Sequence, residues 1–547
     1  MTRANQASGK RTVLLFAALF VTLLAVLAVP RSFAEPAQGM DGHMPTGIHL
    51  ERIGSIGGDG AEIAAYDEAT EQLFVASGSD KIEILDISDP TMPAAAGSFS
   101  VSDLGDGANS VAAHGGVVAV AIAADPSQDP GKVGFYDTAG NLLSSVTAGA
   151  LPDMITFTPD GQKVVVANEG EPDDDYLVDP EGSVTVVDVS GGAANVTQAD
   201  VTQIGFTDFN VGGPRHGELD PAVRIFGPNA TVAQDLEPEY VAVSGDSLTA
   251  WVTLQENNAV AVIDLSDNSV AAIKGLGTKD WSLPENQLDA SDRDGLINIR
   301  NWPVQGMYQP DAIASFEVGG QTYLLTANEG DAREYEGDPG FVGETRVEDE
   351  TLDPTAFPNA AELQMEENLG RLKITVTEGQ NNEGAFTELY AYGARSFSIW
   401  AADGTLVQDS GSQIANLTAV LSPDLFNSQG AADSFDERSD DKGAEPEGVT
   451  KGVVDGRTYA FVGLERIGGI MVYDVTDPMT PRFVQYQPAL DGDISPEGLL
   501  FIPAVDSPNG KNLLVVTYEV SSTTTIFEFA GDGGMTRVYF PVIASDR

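Results

Sequence analysis

The chain has no cysteine among its 547 residues, which excludes disulfide staples and thiolate metal centres. Histidine, at 4, is nearly as scarce, so zinc and copper lack their usual imidazole ligands. Basic side chains number 28 against 83 acidic ones, for a formal charge of -55, and a surface of that sign repels nucleic acid and anionic lipid. Helical periodicity is weak throughout, residues 360–368 offering the best short candidate. No Ser-His-Asp spacing, Gly-rich phosphate loop or paired-carboxylate motif rises above chance. Haem, flavin, nicotinamide and zinc are therefore not expected. What the chain does have is 42% hydrophobic residues with only 20% charged, enough apolar material for a large core, so its acidity is not that of a disordered tail. With 59 glycines and 30 prolines it favours turns over helices.

Arg3, Lys10 and Arg11 precede an uncharged apolar run at 13–29, and Ser32, Phe33 and Ala34 put small residues before Glu35. Residues 1–34 read as an export signal and 35–46 as a linker. The run is also long enough for an uncleaved anchor, since a span needs roughly 17 to 25 residues, and membrane contact is expected only in that case. Either way an exported, extracellular or cell-surface location is expected. Arg3, Lys10, Arg11 and Arg31 are the charged residues of this segment, so the remainder is more acidic still.

From Glu62 onward a unit repeats seven times: an acid or amide after a turn, a short apolar strand, a β-branched strand, a polar loop, and a third strand ending near Asp. The openings are Glu62, Asn109, Asp153, Glu239, Asp311, Glu447 and Glu497, five of them preceded by proline. The shortest interval is about the length of a four-stranded propeller blade, and the longer ones imply insertions at 171–182, 206–237, 274–309, 331–388 and 412–445. The expected fold is all-β, a seven-bladed β-propeller of the YVTN/WD40-like kind over 47–531, with long acidic loop insertions and a short tail at 532–547. The seventh unit lacks a fourth strand. An open sheet edge invites aggregation, so residues 49–56 are expected to close the ring as the outer strand of the last blade.

Antiparallel strands reverse direction, so the opening residue of each unit and its loop between strands two and three share one rim. That rim gathers Glu62, Asp153, Glu239, Asp311, Glu447 and Glu497 with Glu169, Glu256, Glu329 and Asp331, as candidate metal ligands. Oxygen-only clusters of this kind suit calcium or magnesium. The competing reading is a repeated turn in which each acid accepts backbone N–H bonds. Arg333, Arg395 and Arg466 stand beside the rim, either as partners of carboxylates or as a clamp for an anion such as phosphate. Asp292, Asp294, Gly295 and Ile297 resemble the middle of a calcium loop, but Ala290 and Asn301 occupy its end positions, so a complete EF-hand is excluded and a solvated acidic turn is expected, Asp289 serving a nonstandard site only through a backbone bulge.

Several of these segments together resemble the choice-of-anchor I family, exported bacterial propeller proteins similar to animal mesenchyme-specific cell-surface glycoproteins. They are Arg224-Ile225-Phe226-Gly227-Pro228, Pro238-Glu239-Tyr240, Glu256-Asn257-Asn258, Asn328-Glu329-Gly330-Asp331-Ala332-Arg333, Gly393-Ala394-Arg395-Ser396-Phe397 and Ser495-Pro496-Glu497-Gly498. The resemblance runs from about 48 to 530 and implies a secreted or surface-held propeller without implying an established reaction. The leading expectation is a non-enzymatic propeller binding an extracellular ligand or cell-surface protein on its insertion-bearing rim, with calcium. The alternative is a calcium-dependent phosphoesterase, since some members of the family carry an alkaline-phosphatase label.

Overall fold

The strand triplets read from the sequence form, and each acquires a fourth strand. The computed structural model describes residues 48–530 except 336, 490 and 491, so the signal, linker and tail expected at 1–34, 35–46 and 532–547 lie outside the described residues. In the first sheet Ile63–Asp67, Gln72–Ala76, Lys81–Asp86 and Ala94–Ser100 pair antiparallel in chain order. Leu73, Phe74, Val75 and Ala76 are all buried, because this strand is covered on both faces and so cannot alternate apolar with polar. Its first hairpin is fixed by Asp67, whose Oδ2 accepts from Thr70 N at 3.0 Å and whose Oδ1 accepts from Gly116 N in the next sheet at 3.0 Å.

Six further sheets repeat the plan. They begin with Gly107–His114, Pro152–Phe157, Val241–Val243, Ile313–Val318, Pro446–Val454 and Pro496–Ile502, making seven four-stranded antiparallel sheets among the described residues. In the last, Pro496–Ile502, Leu513–Tyr518 and Thr523–Ala530 are joined by the amino-terminal strand His49–Gly57, which pairs with Thr523–Ala530 from His49↔Ala530 to Gly57↔Thr523. The register shifts once, between Arg52 and Gly54. There only glycine fits, since a Cβ on Gly54 would lie 2.2 Å from the Pro90 carbonyl oxygen.

Apolar clusters lie between consecutive sheets. Phe74, Ile82 and Ile84 of the first meet Val118, Val120 and Tyr136 of the second, and Leu513, Val515 and Ile526 of the seventh meet Leu73, Val75 and Leu85 of the first. Full burial of each such side chain contributes about 1.5–3 kcal/mol, so hydrophobic transfer between sheets is the main cohesive term.

The insertions are more structured than acidic loops. Thr278–Asp280, Gln305–Met307, Tyr390–Ala391, Lys373–Thr375 and Glu344–Arg346 form a five-stranded sheet drawn from two insertions, with a parallel pair between Gln305–Met307 and Tyr390–Ala391. Its core includes Trp281, Leu288, Trp302, Val347, Ile374 and Phe386. The helix expected at 360–368 shrinks to the single turn Ala360–Leu363. Leu369 N and Gly370 N fold back onto Leu363 O and Met365 O, so that Leu363, Leu369 and Leu372 enter this core together instead of lining a helix face. The longest helix among the described residues, Gln413–Leu421, lies in the following insertion and packs Ile414 and Leu417 against the fifth and sixth sheets.

Candidate functional site

Four of the seven sheets are entered through a strained turn: Leu151, Gln309, Glu445 and Ser495, each directly before the proline that precedes an acid, have φ of +46°, +40°, +50° and +59°. Left-handed backbone at non-glycine residues costs of order 1–3 kcal/mol apiece and persists where the surroundings impose it. The turns aim the following acids inward. Glu62, Asn109, Asp153, Asp311 and Glu497 line one cavity of about 170 Å³, with Tyr240 and Met154 among its walls. Five of the seven opening residues therefore face one space.

Glu447 and Glu239, the other two, belong to the same acidic group. Carboxylate oxygens of Asp311, Glu329 and Glu447 lie within 4.8 Å of one another, as do those of Glu329, Glu445 and Glu465, so Glu329 joins two triads. Glu256 is the acid whose charge bears most on Glu239. Burial, followed by the charge of Glu256, Glu169, Asp311 and Asp153, pushes Glu239 well above the usual carboxylate range. Burial likewise raises Glu169, Asp311, Glu447 and Glu497 strongly, raises Glu256, and takes Glu62, Asp153 and Glu329 to about 7 and Glu465 to about 8. One oxygen each of Glu237, Glu239, Glu256 and Glu447 is buried with no hydrogen-bond partner. At Glu239, Glu256 and Glu447 an acid satisfied wholly by backbone N–H groups is thus not what forms.

Bases enter from one side. Lys442 Nζ lies 2.9 Å from Glu329 Oε1, 3.3 Å from Asp331 Oδ1 and 3.6 Å from Glu445 Oε2, and this charge partly offsets the burial of Glu329. Asp331, whose side chain is 51% exposed, is the one candidate ligand that stays largely in solvent. Arg333 is buried with Nη1 2.7 Å from Asp235 Oδ1 and Nη2 2.7 Å from Glu237 Oε2, while its guanidinium stacks 4.5 Å from the Phe226 ring. Arg395 donates to the carbonyls of Asp289, Ser439 and Asp441. Arg466 pairs with Glu445 at 3.2 Å and Glu465 at 2.8 Å. The three arginines are thus engaged by protein acceptors, the first two in the interior.

Lys442, Glu445, Asp235 and Glu237 were not singled out from the sequence. A signal existed: Glu237-Pro238-Glu239 and Glu445-Pro446-Glu447 share one tripeptide, placing a second acid two residues before the opening one. The acidic turn at Asp289–Asp294 also departs from expectation, since Asp289 is 1% exposed and not solvated. It is drawn in because Trp302 Nε1 donates to Leu288 O at 3.2 Å and Asn298 N caps the Asp289 carboxylate.

Comparison with known proteins places this architecture in context. A family model described as choice-of-anchor I domain matches residues 62–478. Gigasin-3a of Magallana gigas is 32% identical over 191 residues, covering 31% of this chain and 67% of that protein. The mesenchyme-specific cell surface glycoprotein of Strongylocentrotus purpuratus is 30% identical over 323 residues, covering 50% of this chain but only 40% of its own length. Among solved structures, Kuenenia stuttgartiensis hydrazine synthase matches with a TM-score of 0.46 at 12% identity, over 87% of this chain and 98% of that one.

Proposed function

The chain belongs to the choice-of-anchor I family, and from that premise we propose that it is an exported, surface-associated seven-bladed β-propeller that binds calcium at the acidic end of its axis and presents a ligand or protein partner with its insertions. The sheet count, the pairing of His49–Gly57 with Thr523–Ala530 and the apolar contact of the seventh sheet with the first support a closed ring. A surface location is supported by the family and by the cell-surface glycoprotein relative.

One observation carries the calcium reading: Glu239, Glu256 and Glu447 each bury a carboxylate oxygen without a donor, beside other acids. A buried unpaired carboxylate costs several kcal/mol, relieved either by a proton or by a hard cation that prefers oxygen ligands. Such a cation neutralises the core of the acidic end, leaving the insertions around it as the contact surface.

The test is calorimetric titration of calcium into protein isolated with chelator, together with thermal melts. Calcium at a hundred times its Kd stabilises by about 2.7 kcal/mol. Glu239→Gln and Glu447→Gln are expected to abolish that stabilisation while keeping or raising the midpoint in chelator, since each amide replaces a buried acid. Calcium binding unchanged in both variants refutes the axial site.

A further inference from the structure

Away from the axis, the insertions at 274–309 and 412–445 flank Leu406–Asp409, the outer strand of the fifth sheet, and enclose with it a groove of about 450 Å³. Asn286, Tyr308, Leu406, Gln408, Gln413 and Asn416 line it. Its walls are pinned to each other. Ser412 donates to the Glu285 carbonyl through its backbone N–H at 3.3 Å and its Oγ at 3.0 Å, and the Gln287 N–H donates to Ser412 Oγ. Gly411, with φ of +60°, passes the same carbonyl so closely that a Cβ would lie 2.9 Å from its oxygen. A groove held by such contacts is preformed, so a ligand that enters it loses little to ordering the protein.

Several of its polar groups have no partner. Tyr308 is 4% exposed, its ring packed edge-on against Trp400 at 5.0 Å, yet its hydroxyl makes no hydrogen bond among the described residues. Gln413 and Asn416, three residues apart on the helix Gln413–Leu421 and so on one side of it, have side-chain amides that are likewise unpartnered among the described residues. Asn286 and Gln408 donate their amide N–H groups to the carbonyls of Asp280 and Asp409 at 3.0 and 3.2 Å, which leaves their own amide oxygens as acceptors. Among the described residues no lysine or arginine lines the groove, so an anion finds no counter-charge there. Asp409 is already satisfied, with Oδ1 3.0 Å from Lys279 Nζ and Oδ2 accepting from Ser396 Oγ at 2.6 Å and Ser398 Oγ at 2.9 Å. Amides and a phenol both donate and accept, as a sugar hydroxyl does. Leu406, 40% exposed, supplies apolar surface for the C–H face of a sugar ring.

We propose that this groove binds a neutral carbohydrate chain, with Tyr308, Gln413 and Asn416 hydrogen-bonding its hydroxyls and Leu406 covering a ring face. The ligand class is thereby named for the insertion-bearing contact surface, on whose reading it rests, while the axial ion plays no part in it. The volume lies within the usual range of small-ligand sites, about 300–1,000 Å³.

The probes are cellotetraose, mannotetraose and chitotetraose, titrated calorimetrically into the full chain in chelator and in calcium, with polygalacturonate and an uncharged extended peptide alongside. Saturable binding of at least one tetrasaccharide is expected, equal in both buffers and kept in Glu239→Gln. Gln413→Ala combined with Asn416→Ala should weaken it roughly tenfold or more, and Tyr308→Phe, which removes one hydroxyl from a ring that stays packed, roughly two- to tenfold. Gln413 and Asn416 are exposed, so the double variant is expected to melt with the parent. Failure of all three sugars to bind overturns the proposal, as does an affinity unchanged in both variants, or binding of polygalacturonate or the peptide that the double variant abolishes. Sugar binding lost in chelator and in Glu239→Gln assigns the ligand to the axis and overturns it too. Sugar binding kept in a chain that takes up no calcium supports the groove and refutes the axial site alone.

Discussion

Replacing Arg333 by methionine separates a structural guanidinium from an anion clamp. The change removes both ion pairs of a residue that is 2% exposed and strands Asp235 and Glu237, each at 0% exposure. Breaking a buried pair by removing one partner costs about 3–5 kcal/mol, because the remaining charge is left uncompensated. Unfolding entropy near 2.1 cal/mol/K per residue over roughly 480 residues gives about 1 kcal/mol/K, so the thermal midpoint should fall by about 3–5 °C. Burial already holds Glu237 well above the usual carboxylate range while Arg333 opposes the rise, and loss of the arginine raises it further. A carboxyl with a raised folded pKa binds more protons in the native state than unfolded, so it favours folding below its unfolded pKa and ceases to do so as pH rises through the folded one. The deficit of the variant is therefore greatest near pH 8 and shrinks toward pH 5. Scanning calorimetry at both pH values measures it. A midpoint within about 1 °C of the parent at pH 8, the size expected of an exposed pair, refutes the buried-pair argument and returns Arg333 to the role of a free anion-binding group.

The axial acids give an opposite pH trend to that of paired surface carboxylates. Chiefly through burial, Glu62, Asp153 and Glu329 sit at about 7 and Glu465 at about 8, so their contribution to stability is complete below their unfolded pKa of 4.5 for the glutamates and 3.8 for Asp153 and is lost as pH rises through 7–8. In chelator the melting point should be higher at pH 5.5 than at pH 8.5, and calcium should narrow the gap; a midpoint that rises with pH in chelator refutes it. Deleting residues 48–57 bares the edge of Thr523–Ala530 and removes Leu50, 1% exposed, from the core, so the shortened chain is expected to aggregate and a peptide of residues 48–57 to restore solubility. A shortened chain that stays monodisperse with an unchanged midpoint refutes the closing role of that strand.

The sheets were legible because their inner strands are buried on both faces. Runs such as Leu513-Leu514-Val515-Val516 have no polar residue to spare, and turns bound them on either side. The opening acids were legible because the same Pro-acid turn recurs, and repetition is visible in sequence where strain is not. What stayed hidden depends on contacts between distant segments. Arg333 meets an aspartate 98 residues away and Lys442 a glutamate 113 residues away, and no local pattern announces either. The five-stranded sheet of the insertions was obscured in the same way: its strands are two or three residues long, too short for a period-2 signal, and one of its pairings is parallel.

The distribution of bases supports placing the proposed cation at one part of the acidic end. The bases that meet acids of this end come from the insertions or from the sixth sheet: Arg333 satisfies Asp235 and Glu237, Lys442 meets Glu329 and Glu445, Arg438 meets Glu445 at 2.5 Å, and Arg466 meets Glu445 and Glu465. Glu62, Asp153, Glu239, Glu447 and Glu497 are raised by burial first, and the largest charges that act on them are those of other acids. A protein that neutralises one flank of a buried acidic cluster with its own lysine and arginines, yet leaves the adjoining flank bare, has the electrostatics of a site completed from solution. Were protons alone to complete it, Glu239→Gln and Glu447→Gln would leave every calcium response intact, which is the outcome that the titration distinguishes.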